Sequence, residues 1–464
     1  MIAYEEFIKR KTPIDVPTGF EPSKIEFTRP LFDFQSDVVK WSIRRGRAAL
    51  FEDCGLGKTA QQLAWARHVE DQGPVLILAP LSVAEQTVRE GEAIGVDVAH
   101  IHDDAEAVEQ LNIGRSIHIC NYEKLHRLNP DRYKGVVLDE SSILKSYDGK
   151  TRTRIIDAFR ATQFKLACTA TPAPNDYMEL GNHAEFLGVM KREEMLAMFF
   201  THDGGNTSQW RLKGHAEDIF WKWLCSWAVN IRKPSDLGYD DGAFQLPELK
   251  MHQHVVEAHQ AMDGYLFALP ASSLQERREA RKCSLPERVA KASEIANSND
   301  DQWIAWCNLN SESEALAKCI RGAVEVTGSD SEEYRDKVVK GFLSGEVRVL
   351  VSKPSIFGFG LNFQHCHKQL FVGLSDSYEQ FYQAVRRCWR FGQKNIVDAH
   401  IVISNLEGAV LANLQRKEAD AKRMAESMVK HMAEISSREI RGVRRDSTAY
   451  NPNIKIKIPS FLTQ

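Results

Sequence analysis

Two stretches of the chain alternate short apolar runs with longer amphipathic ones. In the first, residues 48–51, 74–80, 116–120, 135–138 and 163–168 are apolar runs too short for helices, with helical spacing between them. In the second, runs at 302–307, 323–326, 347–351, 369–373 and 397–404 are separated by helical patterns at 286–296, 311–320, 331–344 and 377–389. A strand that is apolar on both sides must be covered on both faces, as in a parallel sheet wrapped by helices. The spacing therefore predicts an α/β fold with two parallel-sheet domains in tandem. Leu31, Phe34, Val39 and Trp41 add a helix ahead of the first strand.

Elsewhere the alternation fails. Residues 1–29 read as a polar lead-in with Pro13, Pro17 and Pro22 and a short helix near 4–10. Residues 30–180 form the first domain and 286–405 the second. Between them, residues 181–285 read as a mainly helical insertion, with loops at 201–208 and 238–242. Its tryptophans, Trp210, Trp221, Trp223 and Trp227, read as core aromatics. Residues 406–464 read as a long helix and a tail. Val410, Leu411, Leu414, Ala421, Met424, Met428, Met432 and Ile435 give that helix an apolar stripe, expected to pack on the rest of the chain rather than on a second copy.

Composition narrows the class. The 464 residues are 43% hydrophobic and 27% charged, the balance of a chain that folds around substantial cores. A net charge of −3 gives no global basic signature, so any affinity for nucleic acid must come from local Lys and Arg. The basic run at 275–282 reads equally well as a solvated helix face or as one that tracks phosphates. Nine cysteines without a Cys-x-x-Cys fit reduced thiols in a cytoplasm. There is neither a charged-then-apolar leader nor an 18-residue apolar run, so secretion and a membrane span are not expected.

The candidate chemistry sits where predicted strands end. The first runs into Gly55-Leu56-Gly57-Lys58-Thr59 and then a helix. Strand, glycine turn and helix is the context in which backbone N–H groups cradle a phosphate chain. Gly55 and Gly57 would let the backbone approach, Lys58 would reach the β and γ phosphates, and the Thr59 hydroxyl would ligate Mg²⁺. Glu52 stands where the general phosphate-loop pattern begins with glycine. The strand at 135–138 ends in Asp139-Glu140, one acid to hold Mg²⁺ and one to polarise an attacking water. The strand at 163–168 ends in Thr169-Ala170-Thr171-Pro172. Ligands of parallel sheets gather at such carboxyl ends.

In the second domain Arg387 and Arg390 lie three apart on a predicted helix, so both can face one phosphoryl group. They also complement a helix C-terminal dipole. Gln35 is either an ordinary position of an amphipathic helix or a partner for an adenine edge, and periodicity does not choose.

Taken in order, Phe34-Gln35, Gly55 through Thr59, Asp139-Glu140-Ser141-Ser142, Thr169 through Pro172, Gly358-Phe359-Gly360-Leu361-Asn362 and Gln383 through Gln393 resemble the motifs of superfamily-two helicases and translocases. The Gly-x-Gly-Leu-Asn turn and the Arg-x-x-Arg-x-Gly-Gln ending resemble the Swi/Snf-like branch. The short span resembles compact phage and bacterial members.

The resemblance implies two RecA-like domains with ATP and Mg²⁺ in the cleft between them. Gln35, Gly55, Gly57, Lys58, Thr59, Asp139 and Gly360 would bind the nucleotide, with Thr59 and Asp139 at the metal. Lys58 and Glu140 would serve the reaction, and Arg387 and Arg390 would reach in from the second domain as arginine fingers. It implies a monomeric, cytoplasmic, DNA-dependent ATPase moving on duplex or branched DNA. Its contacts, mostly to phosphate, would lie at Pro80, Ser82, Asn121, Tyr122, Thr169, Thr171, Ser352 and Lys353. Rival readings are a strand-separating helicase, or a motor subunit of a larger restriction, defence or replication complex. Two positions depart from the family pattern: Ser141-Ser142 replaces Ala-His, and Arg386 stands where an acid is common.

Overall fold

The alternation is realised as two all-parallel sheets. The computed structural model describes residues 15–80, 83–145, 149–173, 176–203, 206–257, 281–357, 361–375 and 377–440. The strands are β1 (Arg47–Glu52), β2 (Val75–Ala79), β3 (Ala99–His100), β4 (Ile117–Asn121), β5 (Gly135–Asp139), β6 (Phe164–Thr169), β7 (Phe200–Asp203), β8 (Asn206–Leu212), β9 (Ala228–Ile231), β10 (Leu249–Val256), β11 (Trp303–Cys307), β12 (Ala323–Glu325), β13 (Val349–Ser352), β14 (Lys368–Val372) and β15 (Val397–Ser404). The first sheet runs β3-β4-β2-β5-β6-β1-β9 and the second β10-β15-β14-β11-β13-β12.

Side chains alternate across the first sheet as the pleat requires. Ala49, Phe51, Leu76, Leu78, Val136 and Leu138 enter one core. Ala48, Leu50, Val75, Ile77 and Val137 enter the other. Because both faces are covered, the strands carry no polar side and read as continuous apolar runs.

The segment expected as a separate insertion does not stand apart. Residues 181–285 supply β9, which pairs with β1 in the first sheet, and β10, which pairs with β15 in the second. The second sheet therefore begins at residue 249, ahead of the boundary expected at 286. The reason is physical. β9 is only four residues long and includes Asn230. β10 is an edge strand whose side chains are half exposed, so its sequence, with Lys250, His252 and His254, reads as polar. Of the loop expected at 201–208, residues 201–203 and 206–208 lie in strands, β7 pairing antiparallel with β8, and 204–205 lie outside the described residues. Trp221, Trp223 and Trp227 are buried, as their spacing predicts.

The C-terminal helix Gly408–Ile440 has 33 residues, a length of about 50 Å. Its start is rooted in the second domain, where Val410 and Leu414 are core residues. Farther along, Met428 and Met432 enter the core of the first. The His431 ring stacks on Trp221, with centroids 5.1 Å apart and planes 4° from parallel. One helix thus spans both domains. Among the described residues no helix is long and apolar enough to cross a membrane.

The short helix expected near 4–10, residues 275–280 of the basic run, Ser82, Gly360 and the tail from 441 lie outside the described residues.

Candidate nucleotide-binding site

β1 ends at Glu52, and the helix Lys58–Val69 begins after a loop in which Gly55 and Gly57 take φ of 92° and 80°. Those angles disfavour any side chain. Space does too, since a Cβ on Gly57 would lie 2.3 Å from Gln35 Nε2. Gln35 buttresses the loop, donating from Nε2 to Leu56 O at 2.8 Å while its Oε1 accepts from Phe32 N at 3.0 Å. Lys58 Nζ donates to Glu52 O at 2.8 Å and to Asp53 O at 3.1 Å. The Glu52 side chain turns inward and accepts from Gln61 Nε2 at 2.7 Å. Burial pushes its carboxyl up to about 7, against the pull of Lys58 and Gln61.

In the sheet β5 is separated from β1 only by β6, which brings its carboxyl end close to the loop. Asp139 Oδ1 accepts from Gln62 Nε2 at 2.7 Å, and its backbone carbonyl accepts from the Tyr122 hydroxyl at 2.7 Å. Glu140, at φ 52°, is the one non-glycine residue with positive φ among the described residues. Such a conformation costs about 1–3 kcal/mol and is kept where the surroundings enforce it. It sets the carboxylate beside Thr169, whose Oγ1 donates at 3.4 Å. Burial first, and the Asp139 charge second, push Glu140 up to about 7, while Lys58 and Arg387 oppose them. Burial raises Asp139 as well, opposed by Gln62, Lys58 and Arg387.

The second domain closes the site. The helix Tyr378–Val385 stops before the two arginines, so they do not share a helix face as expected. They converge nonetheless. Arg387 Nη1 and Arg390 Nη1 donate to the same acceptor, Leu361 O, at 3.0 and 3.1 Å. Arg387 also donates from Nε to Gln383 O and from Nη2 to Gln383 Oε1, each at 2.9 Å. Burial, with Arg387 alongside, brings Arg390 down to about 10. Across the cleft, Glu379 pairs with Lys145 and accepts from Thr171 Oγ1 at 3.4 Å.

The residues expected to touch DNA divide into two groups. Asn121, Tyr122, Thr169 and Ser352 are buried. They bond internally, Asn121 Nδ2 to Pro80 O at 3.2 Å and Ser352 Oγ to Val326 O at 2.9 Å, so their side chains shape loops instead of facing solvent. Pro80, Thr171 and Lys353 are half-buried at strand ends.

Sequence reasoning passed over Gln62, although it lies one helical turn beyond Lys58 and so faces the same side. It also passed over His183, buried against Ser141 Oγ at 3.1 Å. No sequence signal links those two, 42 residues apart.

The comparison with known families matches residues 34–201 to the SNF2-related domain and residues 287–392 to the helicase conserved C-terminal domain. The chain belongs to the SNF2-related branch of the helicase-type ATPases. Among similar SNF2-related proteins, the DNA annealing helicase and endonuclease ZRANB3 of Mus musculus is 23% identical over 86% of this chain and 41% of its own length. The SWI/SNF-related matrix-associated actin-dependent regulator of chromatin subfamily A-like protein 1 of Xenopus laevis is 23% identical over 81% of this chain and 42% of its own. The chain thus spans about two fifths of those relatives. The solved SWI2/SNF2 ATPase core of Sulfolobus solfataricus in complex with dsDNA aligns over 91% of this chain and 99% of its own, at 18% identity and a TM-score of 0.43.

Proposed function

We propose that this SNF2-related chain hydrolyses ATP and couples the hydrolysis to movement along DNA, with duplex or branched DNA preferred. What supports the reading is that Lys58 of the glycine turn and Arg387 of the second domain both act electrostatically on the buried pair Asp139-Glu140, with Arg390 bonded to the same carbonyl as Arg387. The names of the relatives, which speak of a DNA annealing helicase and of chromatin regulation, favour DNA as the track.

The residues fit a magnesium nucleotide. Gly55 and Gly57 take the positive φ of a turn whose backbone can approach a phosphate without a Cβ in the way. The Thr59 hydroxyl and the Asp139 carboxylate are hard oxygen donors of the kind Mg²⁺ takes. When bound, Mg²⁺ neutralises charge on the transferred phosphoryl group. The chain's own residues do the rest. Lys58 leaves the carbonyls of Glu52 and Asp53 for phosphate oxygens. Gln62 fixes the orientation of Asp139. Glu140, oriented by its backbone and by Thr169, accepts the proton of the attacking water. Arg387 and Arg390 trade Leu361 O for the developing charge, which makes hydrolysis depend on where the second domain stands. Differential affinity of the closed and open arrangements for ATP and its product would then drive stepwise motion.

The test is ATP turnover with no DNA, single strands, duplex and forked DNA, alongside triplex-displacement and unwinding readouts. Stimulation by duplex with triplex displacement supports translocation, and unwinding that needs a single-stranded tail supports a strand-separating helicase. Turnover that stays negligible on every DNA contradicts an autonomous motor and favours a subunit of a larger complex.

A further inference from the structure

The phosphate loop touches the second domain through a set of contacts that the hydrolysis chemistry does not use. The Asp53 carboxylate accepts from the Tyr382 hydroxyl, forms an ion pair with Arg386 at 3.3 Å, and caps Cys54 N at 2.7 Å. Arg386 also donates to Cys54 O, and Cys54 Sγ contacts Gln383 Oε1 at 3.6 Å. One residue on, a Cβ built on Gly55 would lie 2.9 Å from Phe391 N, so the two backbones meet. The side chains of Arg386 and Asp53 are only 4% and 15% exposed. Burial pushes Asp53 up, yet Arg386, Tyr382 and the Cys54 amide outweigh it and hold the carboxyl below its usual range.

Asp53 faces both ways. Its side chain belongs to the second domain's grip, while its backbone carbonyl accepts from Lys58 Nζ. A shift of Arg386 relative to the first domain therefore pulls on the residue that holds the phosphate lysine. Room for such a shift exists: a cavity of about 290 Å³ between the domains has Asp53, Arg386, Tyr382 and Trp389 in its wall, together with Met424 and Met428 of the C-terminal helix. Close-packed surroundings would not permit that freedom.

We propose that Asp53, Arg386 and Tyr382 form an interdomain latch that couples the position of the second domain to the conformation of the phosphate loop, with Asp53 as a positioning residue for Lys58. The proposal rests on the nucleotide-binding reading of that loop and adds its regulation. A buried ion pair suits this role because it gives a definite register rather than much net stability, and removing one partner leaves the other buried and unpaired. Coupling is reciprocal, so a latch that senses the loop also sets nucleotide affinity through domain position.

The experiment uses the full chain with a donor and an acceptor dye placed at the exposed positions Val108 and Leu343, one on each domain. The distance distribution is read without nucleotide and with a fluorescent ADP, whose affinity is measured in parallel. Arg386→Gln and Tyr382→Phe keep most of the packing. Each should broaden the nucleotide-free distribution toward open forms and change ADP affinity by at least about 5-fold, the lower end of ordinary coupling. Asp53→Asn combined with Arg386→Gln should cost little more than either alone. An unchanged distribution together with unchanged affinity in both single variants overturns the latch, as do strictly additive effects in the double variant. If the parent chain binds no nucleotide, the nucleotide reading fails, while the nucleotide-free distributions still decide whether the latch holds the domains together.

Discussion

Gln62 and Asp139 face each other at 2.7 Å, an amide from the helix behind the phosphate loop donating to the carboxylate at the end of β5. That bond lets the loop's own helix aim the acid that is proposed to hold Mg²⁺. Outer-shell partners of this kind typically matter 10–100-fold for metal affinity. Gln62→Ala should therefore raise the Mg²⁺ concentration for half-maximal turnover by about 10–100-fold. A magnesium titration at saturating ATP reads this directly, and an unshifted midpoint would separate Gln62 from the site.

Glu140 combines a left-handed backbone, burial and a threonine hydroxyl on its carboxylate. General-base removal typically lowers rate by about 10²–10⁴-fold. Glu140→Gln is expected to lose turnover in that range while still binding a fluorescent ATP. Loss of binding instead would make Glu140 a structural residue.

His183 is fully buried on the helix Leu180–Leu187, with its ring 5.2 Å from that of Phe51. Burial takes its pKa from 6.5 down to about 4. At pH 7 the imidazole is neutral in the folded chain and mostly neutral in the unfolded one. As pH falls below 6.5 the unfolded chain takes up a proton that the folded chain refuses until about 4, so stability is lost across that window. The loss is about 3 kcal/mol when complete. Urea melts at pH 7 and pH 5 should show a larger fall for the parent chain than for His183→Gln. Equal falls would contradict this assignment.

Most strands of both sheets and the glycine turn after β1 were legible because each depends on neighbours in sequence: an apolar run, a pair of glycines, an acid after a strand. What escaped depends on partners far away. β9 pairs with β1 across some 180 residues of chain and has too few residues to carry a pattern. β10 reads as polar because it is an edge strand. Arg386 stood out only as a departure from the family, and its partner Asp53 lies more than 300 residues away in sequence. The buried state of Asn121, Tyr122, Thr169 and Ser352 was equally invisible, since small polar residues at strand ends look alike whether they face solvent or brace a loop.

Met432 lies fully buried in the core of the first domain, although its helix is rooted in the second. Truncating such a side chain costs about 2–5 kcal/mol. Met432→Ala should lower stability by that amount, with a denaturation midpoint independent of protein concentration. A midpoint that moves with concentration would show the stripe to be a seam between copies.

Arg387 tests the central claim, that two domains build one hydrolytic site. Single-turnover and steady-state ATP hydrolysis by Arg387→Ala should fall by about 10³–10⁵-fold, the range an arginine finger contributes, with nucleotide binding and the far-UV spectrum retained. Hydrolysis at the parent rate in that variant would contradict the account.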